Sequence, residues 1–186
     1  MNSLLQESLT DVCGLLSQRH IRFALVGGIA ASLRGRLRAT EDVDLVLLTD
    51  VEGALELANS LGATPFRPLF PEFEKVVRSA YILALEHQPT GVPIDLAIGA
   101  SGFEQQIVNR AQLVTIANTK VHVATAEDLI LMKILAGRPQ DDQDIAGMIA
   151  VQGSSIDWAY CESVAHQLAE VMEMDLVVMI QRLQKR

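Results

Sequence analysis

A chain of 186 residues, 49% apolar and 20% charged, is long enough for one good core with a helical annex and too apolar to be disordered. Its formal net charge of −8 disfavours general nucleic-acid binding, in which neutralising phosphates supplies most of the affinity. Aromatic residues make up only 4%, so base-stacking platforms are scarce and the core must come from Leu, Ile, Val and Ala.

Residues 3–18 place Leu4, Leu5, Leu9, Val12, Leu15 and Leu16 at a helical period. Arg22 to Val26 reads as a short buried strand ended by Gly27-Gly28, and Ile29 to Leu33 as a helix starting directly off the glycines. Arg34 to Thr40 reads as a basic loop, Val43 to Leu48 as a second buried strand, and Val51 to Leu61 as a helix closed by Gly62. Residues 64–78 carry three prolines and allow one or two short strands. Tyr81 to Glu86 and Val92 to Ile98 form a hairpin about Pro89-Thr90-Gly91, followed by a helix from Gly102 to Arg110. Leu113 to Ile116 and Val121 to Val123 are strands around the Asn118-Thr119 turn.

After Thr125 the pattern turns helical. Thr125 and Asp128 read as a capping box opening a helix that runs to Ala136 and stops at Gly137. Helices follow at about 140–150, 156–172 and 175–184, with Ser154-Ser155 introducing the one at 156–172. The expected organisation is α+β: a mixed sheet flanked by helices over residues 1–124, and a helical part over 125–186 packed on it.

Several classes drop out. Cys13 and Cys161 have no metal-ligand spacing, so buried reduced thiols are expected and a zinc site is not. His20, His87, His122 and His166 are scattered, each without a carboxylate at catalytic spacing, and a nucleophilic triad is not supported. Trp158 and Tyr160 read as packing anchors. No basic stretch precedes an apolar run at the start of the chain, and Phe23 to Leu33 is about half a membrane span. A soluble, cytoplasmic protein without a membrane partner is expected.

Two motifs carry chemistry. Gly27-Gly28, at the end of a strand and the start of a helix, lets a phosphate approach backbone amides. Asp42 and Asp44 are two residues apart at the mouth of a strand, so they project from one face and can share a cation. Asp142 and Asp144 have the same spacing but sit in a helix, where about 200° of rotation separates them. Asp95 lies among apolar strand neighbours, and either an arginine or a shared metal must answer its charge. Three carboxylates from neighbouring strands make a site for two magnesium ions, or manganese in their place, with Asp95 best placed as general base. Arg19, Arg22, Arg34, Arg36 and Arg38 flank the glycines and make a local positive patch suited to a small anion or an RNA end.

These residues resemble the nucleotidyltransferase superfamily that includes polymerase β. The likeness is nearest to the minimal AbiEii-type bacterial nucleotidyltransferases, through Val26-Gly27-Gly28-Ile29-Ala30-Ala31, then Arg38-Ala39-Thr40-Glu41-Asp42-Val43-Asp44. The stretch from Ala126 to Ile145, with Lys133, Arg138, Asp141 and Asp144, is similar to that group's helical signature. The chain departs from the superfamily at Gly28, where many members carry serine, and from the helical signature at Gln140, where lysine is common. The resemblance implies a nucleotidyltransferase fold in which Gly27, Gly28 and Arg38 meet the triphosphate of an NTP. It also implies Asp42, Asp44 and Asp95 on magnesium and Lys133 on a phosphate, while Asp141 and Asp144 lock the helical part to Arg138 or the basic loop. The implied reaction moves an NMP from the NTP to an acceptor hydroxyl on tRNA, on a protein or on a small molecule. A toxin with a cognate antitoxin is one implied role, and a nucleotide-binding regulatory or antitoxin-like protein without turnover is the competing class.

Overall fold

Strands form where the apolar runs are short and bounded by turn residues, and seven of them join in one mixed sheet. The computed structural model describes residues 1–99, 102–170 and 174–185. It divides into two compact units, Met1–Ala30 with Arg38–Ala124, and Ala31–Leu37 with Thr125–Arg186.

The first unit holds the sheet. Its strands are β1 (Phe23–Leu25), β2 (Val43–Leu47), β3 (Phe66–Pro68), β4 (Ile82–His87), β5 (Val92–Ile98), β6 (Gln112–Ile116) and β7 (Thr119–Val123). Their order in the sheet is β3-β4-β5-β2-β1-β7-β6. β2 runs antiparallel to β1 and parallel to β5, and β4-β5 and β6-β7 are antiparallel hairpins. Its helices are α1 (Ser3–Gln18), the start of α2 (Gly27–Arg34), α3 (Val51–Asn59), α4 (Phe73–Ala80) and α5 (Gly102–Arg110). Val43, Leu45, Leu47, Ile94 and Leu96 are fully buried in the centre of the sheet, as their near-continuous apolar runs require. The α+β class read from the sequence therefore holds.

Three local readings change. α3 ends at Asn59 with Ser60 as its cap, and Gly62 sits inside a 3-10 turn from Leu61 to Ala63 instead of closing the helix. The proline-bearing stretch holds the short strand β3, as the sequence allowed, and also the helix α4, because Pro65, Pro68 and Pro71 all precede it and none breaks its interior. Arg34 is the last residue of α2 and not part of a loop.

The second unit contains α6 (Ala126–Ala136), α7 (Pro139–Gln152), α8 (Trp158–Ala169) and α9 (Leu176–Gln184). Thr125 caps α6, accepting from the Asp128 amide at 3.3 Å, and Gly137 closes it in the left-handed region. The cap of α8 is Asp157, which accepts from the Tyr160 amide, so Ser154-Ser155 forms a 3-10 turn ahead of it. Of the helix expected at 156–172, positions 171 and 172 lie outside the described residues. Residues 31–37 group with these helices for a steric reason. A side chain on Gly35 would meet the backbone of Gly147 and Met148, and the Gln152 amide donates to the Arg34 carbonyl at 2.7 Å. Among the described residues, no helix is long and apolar enough to cross a membrane.

Candidate active site

The centre of the sheet brings two of the three singled-out carboxylates into register. Asp44 of β2 pairs directly with Asp95 of β5, so both project from the same face of neighbouring strands about 4.8 Å apart. On β5 the opposite face is fully committed to the core, with Val92, Ile94, Leu96 and Ile98 buried, while Pro93, Asp95 and Ala97 are half-exposed. Asp42 stands just before β2, and Thr40 holds it by donating its hydroxyl to Asp42 Oδ1 at 2.7 Å.

Burial, and then the charge of Asp42, push the Asp95 carboxyl above its ordinary value. Asp42 and Asp95 line the same cleft, and the described residues supply no arginine partner for Asp95. Of the two fates open to Asp95 in the sequence, the arginine pair is the one the structure does not make.

The glycines lie against this carboxylate face. β1 leads into Gly27, whose φ is +63°, and a Cβ there would collide with the Asp44 carboxylate. Glycine is thus required twice, by backbone conformation and by the side chain it must admit. A Cβ on Gly28 would meet the Thr40 side chain and, at 3.0 Å, the Arg38 guanidinium. Gly27 and Gly28 open α2, whose first-turn amides have no partner within the helix. Amides of a helix start, an exposed Arg38 and three carboxylates thus occupy one face of the α/β unit.

The donor set is hard oxygen, which suits magnesium. Among the described residues no group of three or more His, Cys, Asp or Glu side chains is already drawn together tightly enough to hold an ion. The residues therefore fit the metal in donor chemistry, as separate carboxylates and not as a closed cage.

The arginine patch is dispersed. Arg19 donates to Ser60 at 2.7 Å and Arg22 to Asn109 at 2.8 Å. Arg34 is half-buried, which pulls its pKa down, while Glu127 beside it acts the other way. Of the five, Arg38 is the one placed at the glycine turn.

Lys133 lies in the helical unit and is 4% exposed. Its ammonium meets Asp144 at 2.6 Å and Asp141 at 3.0 Å, and the Arg138 guanidinium reaches Asp141 at 2.9 Å. The expectation that Asp141 engages Arg138 is met, and Lys133 joins them as the centre of a buried cluster. For Asp141, burial alone would raise its pKa, but hydrogen bonds from Arg138 and Lys133 outweigh it and hold the carboxyl low. The cluster lines a cavity of about 310 Å³ with Arg182. Asp142 points out to solvent while Asp144 is buried, so this second Asp-x-Asp pair diverges as its helical spacing predicts.

Two features escaped the sequence. A cleft of about 440 Å³ opens beside Asp42 and Asp95, walled by Val76 and Ala80 of α4, by Leu69 and Phe70, and by Ile82 and Ala84 of β4. The signal for α4 was present, since Phe73, Val76, Val77 and Ala80 follow helical spacing, but the preceding prolines masked it. The second is His87, whose Nε2 lies 3.1 Å from Asp11 and whose Nδ1 lies 3.1 Å from Ser8 Oγ and 2.8 Å from Thr90 Oγ1. The composition is that of a triad, but Ser8 and His87 are both fully buried, and the network fastens the β4-β5 turn to α1. Cys13 and Cys161 are buried and in no disulfide, and burial pushes the Cys13 thiol up to about 12.

Comparison with known families matches residues 5–180 to the family described as nucleotidyltransferase of unknown function (DUF6036). No match was found among curated proteins. Among solved structures, the fold is similar to an antigenic nucleotidyltransferase-like protein from Paracoccidioides brasiliensis, at 22% identity over 81% of this chain and 78% of that one, TM-score 0.55. It is similar to the antibiotic-resistance factor ANT(2'')-Ia, at 13% identity over 92% and 96%, TM-score 0.61. It is also similar to the lincosamide antibiotic adenylyltransferase LnuA, at 14% identity over 81% and 99%, TM-score 0.54. At these identities the structural likeness establishes the nucleotidyltransferase fold. It establishes no group within that fold.

Proposed function

The chain belongs to the DUF6036 family of nucleotidyltransferases, and from that premise we propose a magnesium-dependent enzyme of the cytoplasm that moves an NMP from an NTP to an acceptor hydroxyl. The observation that carries this reading is the Asp44–Asp95 register pair beside the Gly27 turn. First-turn amides at Gly27 and Gly28, with Arg38, hold the triphosphate. Asp42, Asp44 and Asp95 hold magnesium, which when bound supplies charge neutralisation for the phosphates and the leaving pyrophosphate. Asp95 takes the proton of the acceptor hydroxyl. The acceptor oxygen forms a bond to the α-phosphorus as the bond to the β-phosphate oxygen breaks, and pyrophosphate leaves. Positioning by the sheet supplies most of the acceleration, with no covalent enzyme intermediate.

Incubation with magnesium and each labelled NTP, offering cell RNA, lysate protein or small alcohols, tests the reading. Label is expected in one of these fractions, and Asp44→Asn is expected to abolish it while the protein stays folded. Wild-type transfer by Asp44→Asn would overturn the site assignment. A role as the toxin of a toxin–antitoxin pair would follow if the label enters tRNA or a host protein. Nucleotide binding without transfer to any fraction would support a regulatory protein instead.

A further inference from the structure

The two sides of the carboxylate face differ in charge and polarity. At the glycine turn the neighbours are backbone amides and Arg38, which suit an anion. On the other side, the cleft beside Asp95 is lined by Glu41, Asp42 and Asp95 and by apolar side chains, with no basic residue among them. Its walls are built, not incidental. The Leu69 amide donates to the Ala84 carbonyl at 2.9 Å, extending the β3-β4 pairing into the segment that carries Phe70. Val76 and Ala80, one helical turn apart on α4, form the facing wall. Phe70 and Leu69 remain 46% and 39% exposed although they line the cleft, which leaves apolar area for a ligand to cover. The volume of about 440 Å³ is that of a small-molecule site.

We propose that this cleft is the acceptor subsite, and that it takes a small amino alcohol with an apolar body: the body lies between α4 and β4, the ammonium faces Glu41, and the hydroxyl meets Asp95. This deepens the transferase reading and rests on it. A nucleic-acid acceptor is disfavoured, because beyond the carboxylates assigned to magnesium the lining offers its phosphates only Glu41 and apolar side chains, with no Lys or Arg.

The test measures two bindings separately on the full chain, by calorimetry with magnesium and a non-hydrolysable ATP analogue, using phenylalaninol as the probe alcohol and a short oligoadenylate as the rival. Phenylalaninol is expected to bind the nucleotide-loaded protein and oligoadenylate not to compete with it. Phe70→Ala, at an exposed position that should not disturb folding, is expected to weaken phenylalaninol by at least about fivefold and leave the nucleotide unchanged. Ala84→Phe, which fills the cleft floor, is expected to do the same. Weakened nucleotide binding with unchanged phenylalaninol would overturn the proposal, since the cleft would then hold the donor. So would absence of phenylalaninol binding, or its displacement by oligoadenylate. A wild-type protein that binds no magnesium nucleotide would sink the transferase reading instead, and phenylalaninol titrated alone would still report on the cleft.

Discussion

Gly27 joins two demands that only glycine meets: φ of +63° and a neighbouring carboxylate, Asp44, where a Cβ would be. Gly27→Ala is expected to cost about 1–3 kcal/mol in urea denaturation and to displace Asp44, with loss of nucleotide binding. Gly91→Ala is the control, because its φ of +70° is equally left-handed but nothing lies within reach of a Cβ there. Equal losses in both would remove Asp44 from the explanation. Asp95 makes the opposite kind of prediction. Its folded pKa lies above the ordinary 3.8, so the folded state binds the proton more tightly than the unfolded chain. The stability it contributes is present below about pH 3.8 and is lost as pH rises through the folded pKa. Asp95→Asn is expected to flatten that fall and to leave the metal-free protein as stable or more stable at neutral pH, while ending transfer. A large unfolding effect would instead mean that the carboxylate is structural.

At the scale of elements, the helical unit is held by the charge cluster joining α6 to the start of α7. Lys133 is buried with Asp141 and Asp144, so removing the cation takes one buried ion pair from each carboxylate. Lys133→Met is expected to lose about 3–5 kcal/mol in urea denaturation, and adding Asp141→Asn and Asp144→Asn should recover part of it. A loss under about 1 kcal/mol would be surface-pair behaviour and would contradict the burial. In the α/β unit, the elements bearing the site were readable because each has a short-range signature. Gly27-Gly28 ends an apolar run, and Asp42 and Asp44 differ by the strand period. Lys133 was not readable in this way, because a lysine on a helix carries no local mark of the acids that will surround it. Nor was α4, since prolines at 65, 68 and 71 suggest a broken stretch until their position ahead of Phe73 is known.

For the whole molecule, the test is linkage. A ligand that binds only the folded protein stabilises it by about 2.7 kcal/mol at a hundredfold excess over Kd. Magnesium with a non-hydrolysable ATP analogue is therefore expected to raise Tm together, and EDTA to cancel the gain. Stabilisation by the analogue that survives EDTA would argue that the carboxylates do not hold the metal with the nucleotide.

The sequence alone determined the α+β class, most strands and the three carboxylates with their glycine turn, since periodicity and turn chemistry act over a few residues. Tertiary structure decided what those residues meet. It set Asp44 opposite Asp95 by the parallel register of β2 and β5, and it dispersed the arginines to Ser60, Asn109 and Glu127. It also enclosed Lys133 and opened the cleft under α4. Such pairings join residues tens of positions apart, and the chain's local preferences are silent about them until the sheet and helices close.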